Sequence, residues 1–176
     1  MFENRQEAGE ILSQKLLKFK GIENAVVLAV PRGGVVIGRI VSDVLKIPLG
    51  VVYAKKIPTL GQPELAAGAL ITRNKKFGET PNVKGKVVIL TDDGIATGAT
   101  IEAAIKYLKK KKAGKIILAV PVAPKETVKK LKCMVDRLII LEPPTFFGAV
   151  GEFYRDFPQV TDEEVVNLLQ KSERVS

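Results

Sequence analysis

Residues 87–100, VVILTDDGIATGAT, constrain the fold more than any other stretch of the chain. Residues 87–90 are a β-branched and aliphatic run, the pattern of a strand covered on both faces. Two adjacent carboxylates follow, then a turn of small residues. Ile101, Ala104, Ile105 and Leu108 then recur at helical spacing. A strand that passes directly into a helix must reach its next strand by crossover, which calls for a parallel sheet. The same order recurs upstream. Residues 25–30 are a continuous apolar run, Pro31-Arg32-Gly33-Gly34 form a turn, and Ile37, Ile40, Val41, Val44 and Leu45 mark a helix. It recurs downstream as well, with a strand at 115–122, Pro124 opening a helix with Val128, Leu131 and Val135 inward, and a last strand at 138–141. The whole reads β-α-β-loop-β-α-β-α-β. We expect an α/β fold: one domain over residues 1–176 with an open parallel sheet and helices on both faces.

The remaining segments fit around that core. Residues 3–19 read as a helix with Ala8, Ile11, Leu12, Leu16 and Phe19 on one face, ended by Gly21. Residues 48–55 read as a strand that runs into Lys55 and Lys56. Residues 57–68, IPTLGQPELAAG, read as a loop or loose hairpin, residues 69–72 as a short strand and 73–86 as a connection. Residues 143–160 are broken by Pro and Gly yet carry Phe146, Phe147, Phe153, Tyr154 and Phe157. Thr161 and Glu164 form a capping box for a final helix with Val165, Leu168 and Leu169 inward.

Composition excludes several chemistries. The chain has no histidine, so His-based acid–base catalysis, Ser-His-Asp triads and most zinc sites fall away. Cys133 is the only cysteine; no internal disulfide can form, and its place in a helical pattern predicts a core position. No apolar run approaches the roughly 20 residues of a membrane span, and no secretory signal is visible at the start, which indicates the cytoplasm. The net charge of +9 includes lysines 109–112 at a helix C-terminus, where cations are favoured. These lysines lack interleaved aromatics. Asp92 and Asp93 would repel a phosphate backbone, so a nucleic-acid partner is the weaker reading of the charge.

The turns carry the chemistry. Asp92 and Asp93 lie at the carboxyl end of a strand, where open α/β sheets bind ligands. Carboxylates suit sugar hydroxyls or a hydrated cation. Gly94, Ala96, Thr97, Gly98, Ala99 and Thr100 are small or hydroxylated and open a helix, whose N–H groups suit a phosphate. Together they read as a site for a phosphorylated sugar. Arg32 between small residues supplies a planar fork for phosphate oxygens, or is a surface arginine in a βα turn; Gly33 and Gly34 allow close backbone approach. Of Lys55 and Lys56, strand alternation sends one to each face, and Lys56 is favoured for the ligand side. Phe146 and Phe147 are either a platform for a flat heterocycle or part of a local hydrophobic cluster.

Residues 87–100 resemble the 5-phosphoribosyl-1-pyrophosphate (PRPP) motif of type I phosphoribosyltransferases: a hydrophobic run, two acidic residues, a short linker and T-G-x-T. PRGG, KIPTLGQPEL and EFYRDFPQVTDEEV resemble a group of phosphoribosyltransferase-like proteins whose substrate is not clearly assigned. The resemblance implies transfer of a 5-phosphoribosyl group from PRPP to a nitrogenous base with release of pyrophosphate. It implies Asp92 and Asp93 on the ribose hydroxyls and residues 97–100 on the 5′-phosphate. It implies Arg32, Gly33, Gly34 and Lys56 at the pyrophosphate, a lid at about 57–68, and a hood at about 143–160 where Phe146 and Phe147 meet the base. Mg²⁺ would be carried by PRPP and water rather than by direct protein ligands, with Asp92 and Asp93 as its nearest protein partners. A homodimer is the family expectation. Ala96 stands where 6-oxopurine enzymes often place a proton-handling aspartate, which argues against that class. The connection between residues 72 and 83 looks short for the unassigned group, which puts a shield or interface there in doubt. The alternative function is a non-catalytic regulator that senses PRPP or a nucleotide.

Overall fold

The computed structural model describes residues 1–53 and 73–173. The expectations for Lys55, Lys56, the 57–68 loop and the 69–72 strand lie outside the described residues. Helix α1 (Arg5–Lys15) leads into a 3-10 turn at Leu17–Phe19. Strand β1 (Ala25–Ala29), helix α2 (Gly33–Leu45) and strand β2 (Leu49–Val51) follow. A small antiparallel hairpin, β3 (Arg73–Asn74) with β4 (Gly78–Glu79), occupies part of the expected connection. Then come β5 (Val87–Thr91), α3 (Ala99–Lys110), β6 (Lys115–Val122), α4 (Lys125–Lys132), β7 (Arg137–Glu142) and α5 (Asp162–Glu173).

The five main strands form one parallel sheet in the order β2-β1-β5-β6-β7. Strand alternation divides the core in two. Ala25, Val27, Ile89, Ile117 and Ala119 face α1 and α2, packing with Leu12, Leu16, Ile37, Val41 and Leu45. Val26, Leu28, Val88, Leu90, Ile116, Leu118 and Val120 face α3 and α4, packing with Ile101, Ala104, Ile105, Leu108 and Leu131. Helix α5 adds Val165, Leu168 and Leu169 to a third cluster, with Val35 and Val51 at the β2 edge. No helix among the described residues is long and apolar enough to cross a membrane.

Two side chains depart from expectation. Ile11 is exposed. The buried stripe of α1 is Ala8, Leu12 and Leu16, spaced i, i+4, i+8, and Ile11 falls off its edge. Cys133 is exposed rather than core, because α4 ends at Lys132 and Cys133 caps it beyond the inward Leu131.

The topology fixes where a site can be. From β1 the chain steps outward to β2, and from β5 it steps the other way through β6 and β7. The direction reverses between β1 and β5, and a crevice opens there beyond their carboxyl ends. Ala29 pairs with Thr91, and Thr91 with Ala119, so those ends are level. The PRGG turn leaves β1 at this level and the acidic pair leaves β5.

Candidate functional site

The two turns touch. A Cβ placed on Gly33 would lie 1.9 Å from Asp93 Oδ2, and one on Gly34 would lie 2.8 Å from Asp92 Oδ1 and 3.0 Å from Asp92 Cα. The glycines are therefore required by the carboxylates, which fill the space a side chain would take. The Pro31–Arg32 peptide that leads into this turn is cis. Asp92 and Asp93 are both half-buried, and the Asp93 backbone N–H donates to Asp92 Oδ1 at 2.8 Å. Burial first, and then the charge of Asp93, push the Asp92 carboxyl well above the usual carboxylate range.

Asp93 is held from three sides. Arg5 Nε donates to its Oδ2 at 2.8 Å. The Tyr154 hydroxyl donates to its backbone carbonyl at 2.6 Å. Gly33 packs against its carboxylate. Burial, and then the charge of Asp93, raise the Tyr154 hydroxyl, so it stays a donor.

The turn over residues 94–98 is held from the opposite face of the sheet. Ile95 N–H donates to Val122 O at 2.8 Å, carrying the chain across the end of β6. Gly98 has φ 82° and would place a Cβ 2.8 Å from Thr127 Cγ2, so both backbone conformation and space require glycine. The Thr127 hydroxyl on α4 donates to Ala96 O at 2.8 Å and pins the turn. Ala96, Thr97 and Thr100 are exposed around the start of α3, where N–H groups and the helix dipole favour an anion. Glu102, in the first turn, is neutralised by Lys106 at 3.1 Å and Lys130 at 2.5 Å. The Lys130 hydrogen bond, then that of Lys106, hold its carboxyl below the usual range.

Arg32 stands on the other side of the crevice, 44% exposed, with Nη1 3.7 Å from Asp162 Oδ1 on α5. Lys76 from the β3–β4 hairpin meets the same carboxylate through Oδ2 at 2.5 Å. The Lys76 hydrogen bond chiefly, with the charge of Arg32 adding, holds Asp162 below the usual carboxylate range. A cavity of about 380 Å³ lies beside this turn, lined by Arg5, Arg32, Gly33 and residues 157–160.

The aromatic segment separates into two roles. Phe153, Tyr154 and Phe157 pack inward, with Tyr154 against Phe157 at 4.8 Å and Phe2 at 5.4 Å. Phe147 stacks on Phe153 at 5.5 Å. Phe146 is 92% exposed. Val150 packs on Gly94, where a Cβ would lie 2.5 Å from Val150 Cγ1, so this segment meets the acidic turn directly. The segment is also stitched to the N-terminus. Phe2 N–H donates to Phe153 O at 2.8 Å, and Arg155 N–H to Phe2 O at 2.9 Å.

The described site thus gathers Arg32, Gly33, Gly34, Asp92, Asp93, Gly94 and residues 96–100, while Lys56 lies outside the described residues. Sequence reasoning missed Arg5, and it named Tyr154 only among the aromatics of residues 143–160, not as a partner of Asp93. Arg5 left one readable sign: it is a cation in the first turn of a helix, where the dipole disfavours it. Such a residue, if buried, needs a carboxylate from elsewhere.

A family model described as phosphoribosyl transferase domain matches residues 3–158. The chain belongs to this family. Two Mycobacterium tuberculosis proteins, from strains CDC 1551 and H37Rv and each provisionally named a phosphoribosyl transferase, are 32% identical to it over 211 residues. That match covers 99% of this chain and 47% of each relative, so the chain spans about half their length. A Thermus thermophilus protein of known structure is similar over 97% of this chain and 98% of its own, at TM-score 0.82 and 32% identity. A purine phosphoribosyltransferase from Pyrococcus horikoshii shares the fold at TM-score 0.57 and 24% identity, covering 89% of this chain and 92% of its own. The five-stranded parallel sheet with helices on both faces is thus the fold of known phosphoribosyltransferases.

Proposed function

We propose that this phosphoribosyl transferase domain moves a 5-phosphoribosyl group from PRPP to a ring nitrogen of a base other than a 6-oxopurine, releasing pyrophosphate. The observation that carries this reading is the contact between the PRGG turn and the acidic pair across the β1–β5 crevice, with Gly33 directly against Asp93. It brings the PRGG turn and the carboxylate pair together at the strand ends, next to the start of α3, which supports reading them as the pyrophosphate, ribose and 5′-phosphate sites.

The base nitrogen attacks C1 of the ribose as the C1–O bond breaks; the bonding electrons leave with pyrophosphate, and the proton of the base nitrogen passes to water or to the departing pyrophosphate. Positive charge builds on the sugar ring, as in other glycosyl transfers, near Asp92 and Asp93. Arg32 and the N–H groups of the PRGG turn take the growing charge of the leaving group. The start of α3 with Thr97 and Thr100 anchors the 5′-phosphate. Among the described residues, no group of three or more acidic, Cys or His side chains could hold a metal. Two half-buried carboxylates beside a polyphosphate suit Mg²⁺, which keeps several waters and binds through one or two carboxylates plus substrate oxygens. When bound, Mg²⁺ neutralises pyrophosphate charge. The ring of Phe146, freed from packing, is the base platform in this reading, with Phe147 fixed on Phe153 behind it. The methyl of Ala96 can move no proton, which sets 6-oxopurines apart as acceptors.

The test is pyrophosphate release from Mg²⁺·PRPP across a panel of adenine, uracil, orotate, hypoxanthine and guanine. Release with a base outside the 6-oxopurines supports the reading. Release only with hypoxanthine or guanine overturns its substrate class. PRPP binding without turnover on any base or amine overturns the enzyme and favours a PRPP-sensing regulator.

A further inference from the structure

Arg5 is a nearly buried charged side chain at the site, yet it comes from the first turn of α1, far from either motif in sequence. Its guanidinium donates to Asp93 Oδ2 at 2.8 Å and to Pro158 O at 2.7 Å, and its central carbon lies 3.7 Å over the Phe157 ring. The Arg5 side chain is 9% exposed and that of Asp93 14%. These three contacts hold the guanidinium in place. The N-terminal residues set this geometry before α1 begins. Phe2 and Glu3 lie beside residues 153–156, with Asp156 N–H donating to Glu3 O at 2.9 Å, and Asn4 caps the helix by accepting from Glu7 N–H at 2.9 Å.

A cation at a helix N-terminus is opposed by the dipole, and a nearly buried one needs a partner. A purely structural pairing would be satisfied by any carboxylate. Here the partner is one of the two carboxylates placed at the ribose in the reading above. Asp92 and Asp93 stand side by side and repel each other when both are ionised, and a carboxylate free to rotate would swing towards or away from Gly33. Arg5 fixes the plane of Asp93 and offsets part of the repulsion between the pair.

Resting on the phosphoribosyl reading, we propose that Arg5 is a positioning residue for ligand binding: it orients Asp93, and through Phe157 and Pro158 it ties that carboxylate to the C-terminal segment. It acts on ligand through Asp93 and makes no contact of its own with PRPP.

A double-mutant cycle on Mg²⁺·PRPP affinity tests this, using titration calorimetry on wild type, Arg5→Met, Asp93→Asn and the double variant, with a thermal unfolding midpoint for each. We expect Arg5→Met to weaken binding about tenfold in the wild-type background and less than about twofold in the Asp93→Asn background. Arg5→Lys, which keeps the charge but cannot serve both acceptors, should bind between wild type and Arg5→Met; it carries the cycle where Arg5→Met does not fold. Equal losses in both backgrounds would overturn the proposal, since Arg5 would then touch ligand or act on stability alone. Wild-type affinity in Arg5→Met would overturn it while leaving the PRPP site standing. No binding by folded wild type would overturn the site reading itself, and this proposal with it.

Discussion

Asp92 shows that the site is built at a cost to stability. Its carboxyl is raised by burial and by Asp93, so the folded protein holds the Asp92 proton more tightly than the unfolded chain does. Such a group favours the fold below its unfolded pKa, and that advantage is lost as pH rises through its folded pKa. Asp92→Asn removes the charge and keeps an oxygen for the Asp93 N–H. The variant should therefore unfold at a higher temperature than wild type at neutral pH, the two should converge at acid pH, and PRPP affinity should fall. Thermal melts across pH check this, and a wild type more stable than the variant at pH 7 would refute it. Gly33 makes the complementary case. Gly33→Ala forces the Asp93 carboxylate to swing, since the new methyl and Oδ2 claim the same place. We expect a loss of about 1–3 kcal/mol by chemical denaturation, as for other overpacked positions.

The elements are legible in sequence where a local rule decides them. Strand β6 is readable at its full extent, because a short apolar run rich in Ile and Val, preceded by Gly114 and carrying Pro121, is too short and too β-branched for a buried helix. The capping box before α5 is present, with Thr161 N–H donating to Glu164 Oε2 at 2.7 Å and Glu164 N–H to Thr161 Oγ1 at 3.2 Å. Thr161→Ala should cost about 0.5–2 kcal/mol of stability. It should also weaken the hold of Asp162 on Arg32, because both depend on the first turn of α5. A denaturation midpoint equal to wild type would contradict that. The elements are less legible where tertiary contact decides. Ile11 fits a helical stripe in sequence but lies off the packed one, and Cys133 lies just past a short helix. The β3–β4 hairpin offers no alternating pattern, since each strand is two residues long.

At the scale of the molecule, the site is legible as two motifs but not as one machine. PRGG and the acidic pair are each readable from residue type and spacing. Their mutual contact is not, because it depends on β1 and β5 lying side by side, which no local pattern states. The N-terminus is the largest omission. Its helix reads as an ordinary amphipathic one, while Arg5 reaches Asp93, 88 residues away in sequence. The aromatic segment is half readable: its inward rings build the join to the N-terminus, and Phe146 alone among those five aromatics is strongly exposed. The central claim is that this assembled crevice binds PRPP through its acidic pair. The most direct measurement is a calorimetric titration of Mg²⁺·PRPP into wild type and into the Asp92→Asn/Asp93→Asn double variant, both confirmed as folded. We predict saturable 1:1 binding by wild type and a loss of at least about a hundredfold in the double variant; equal binding by the two proteins would contradict the assignment.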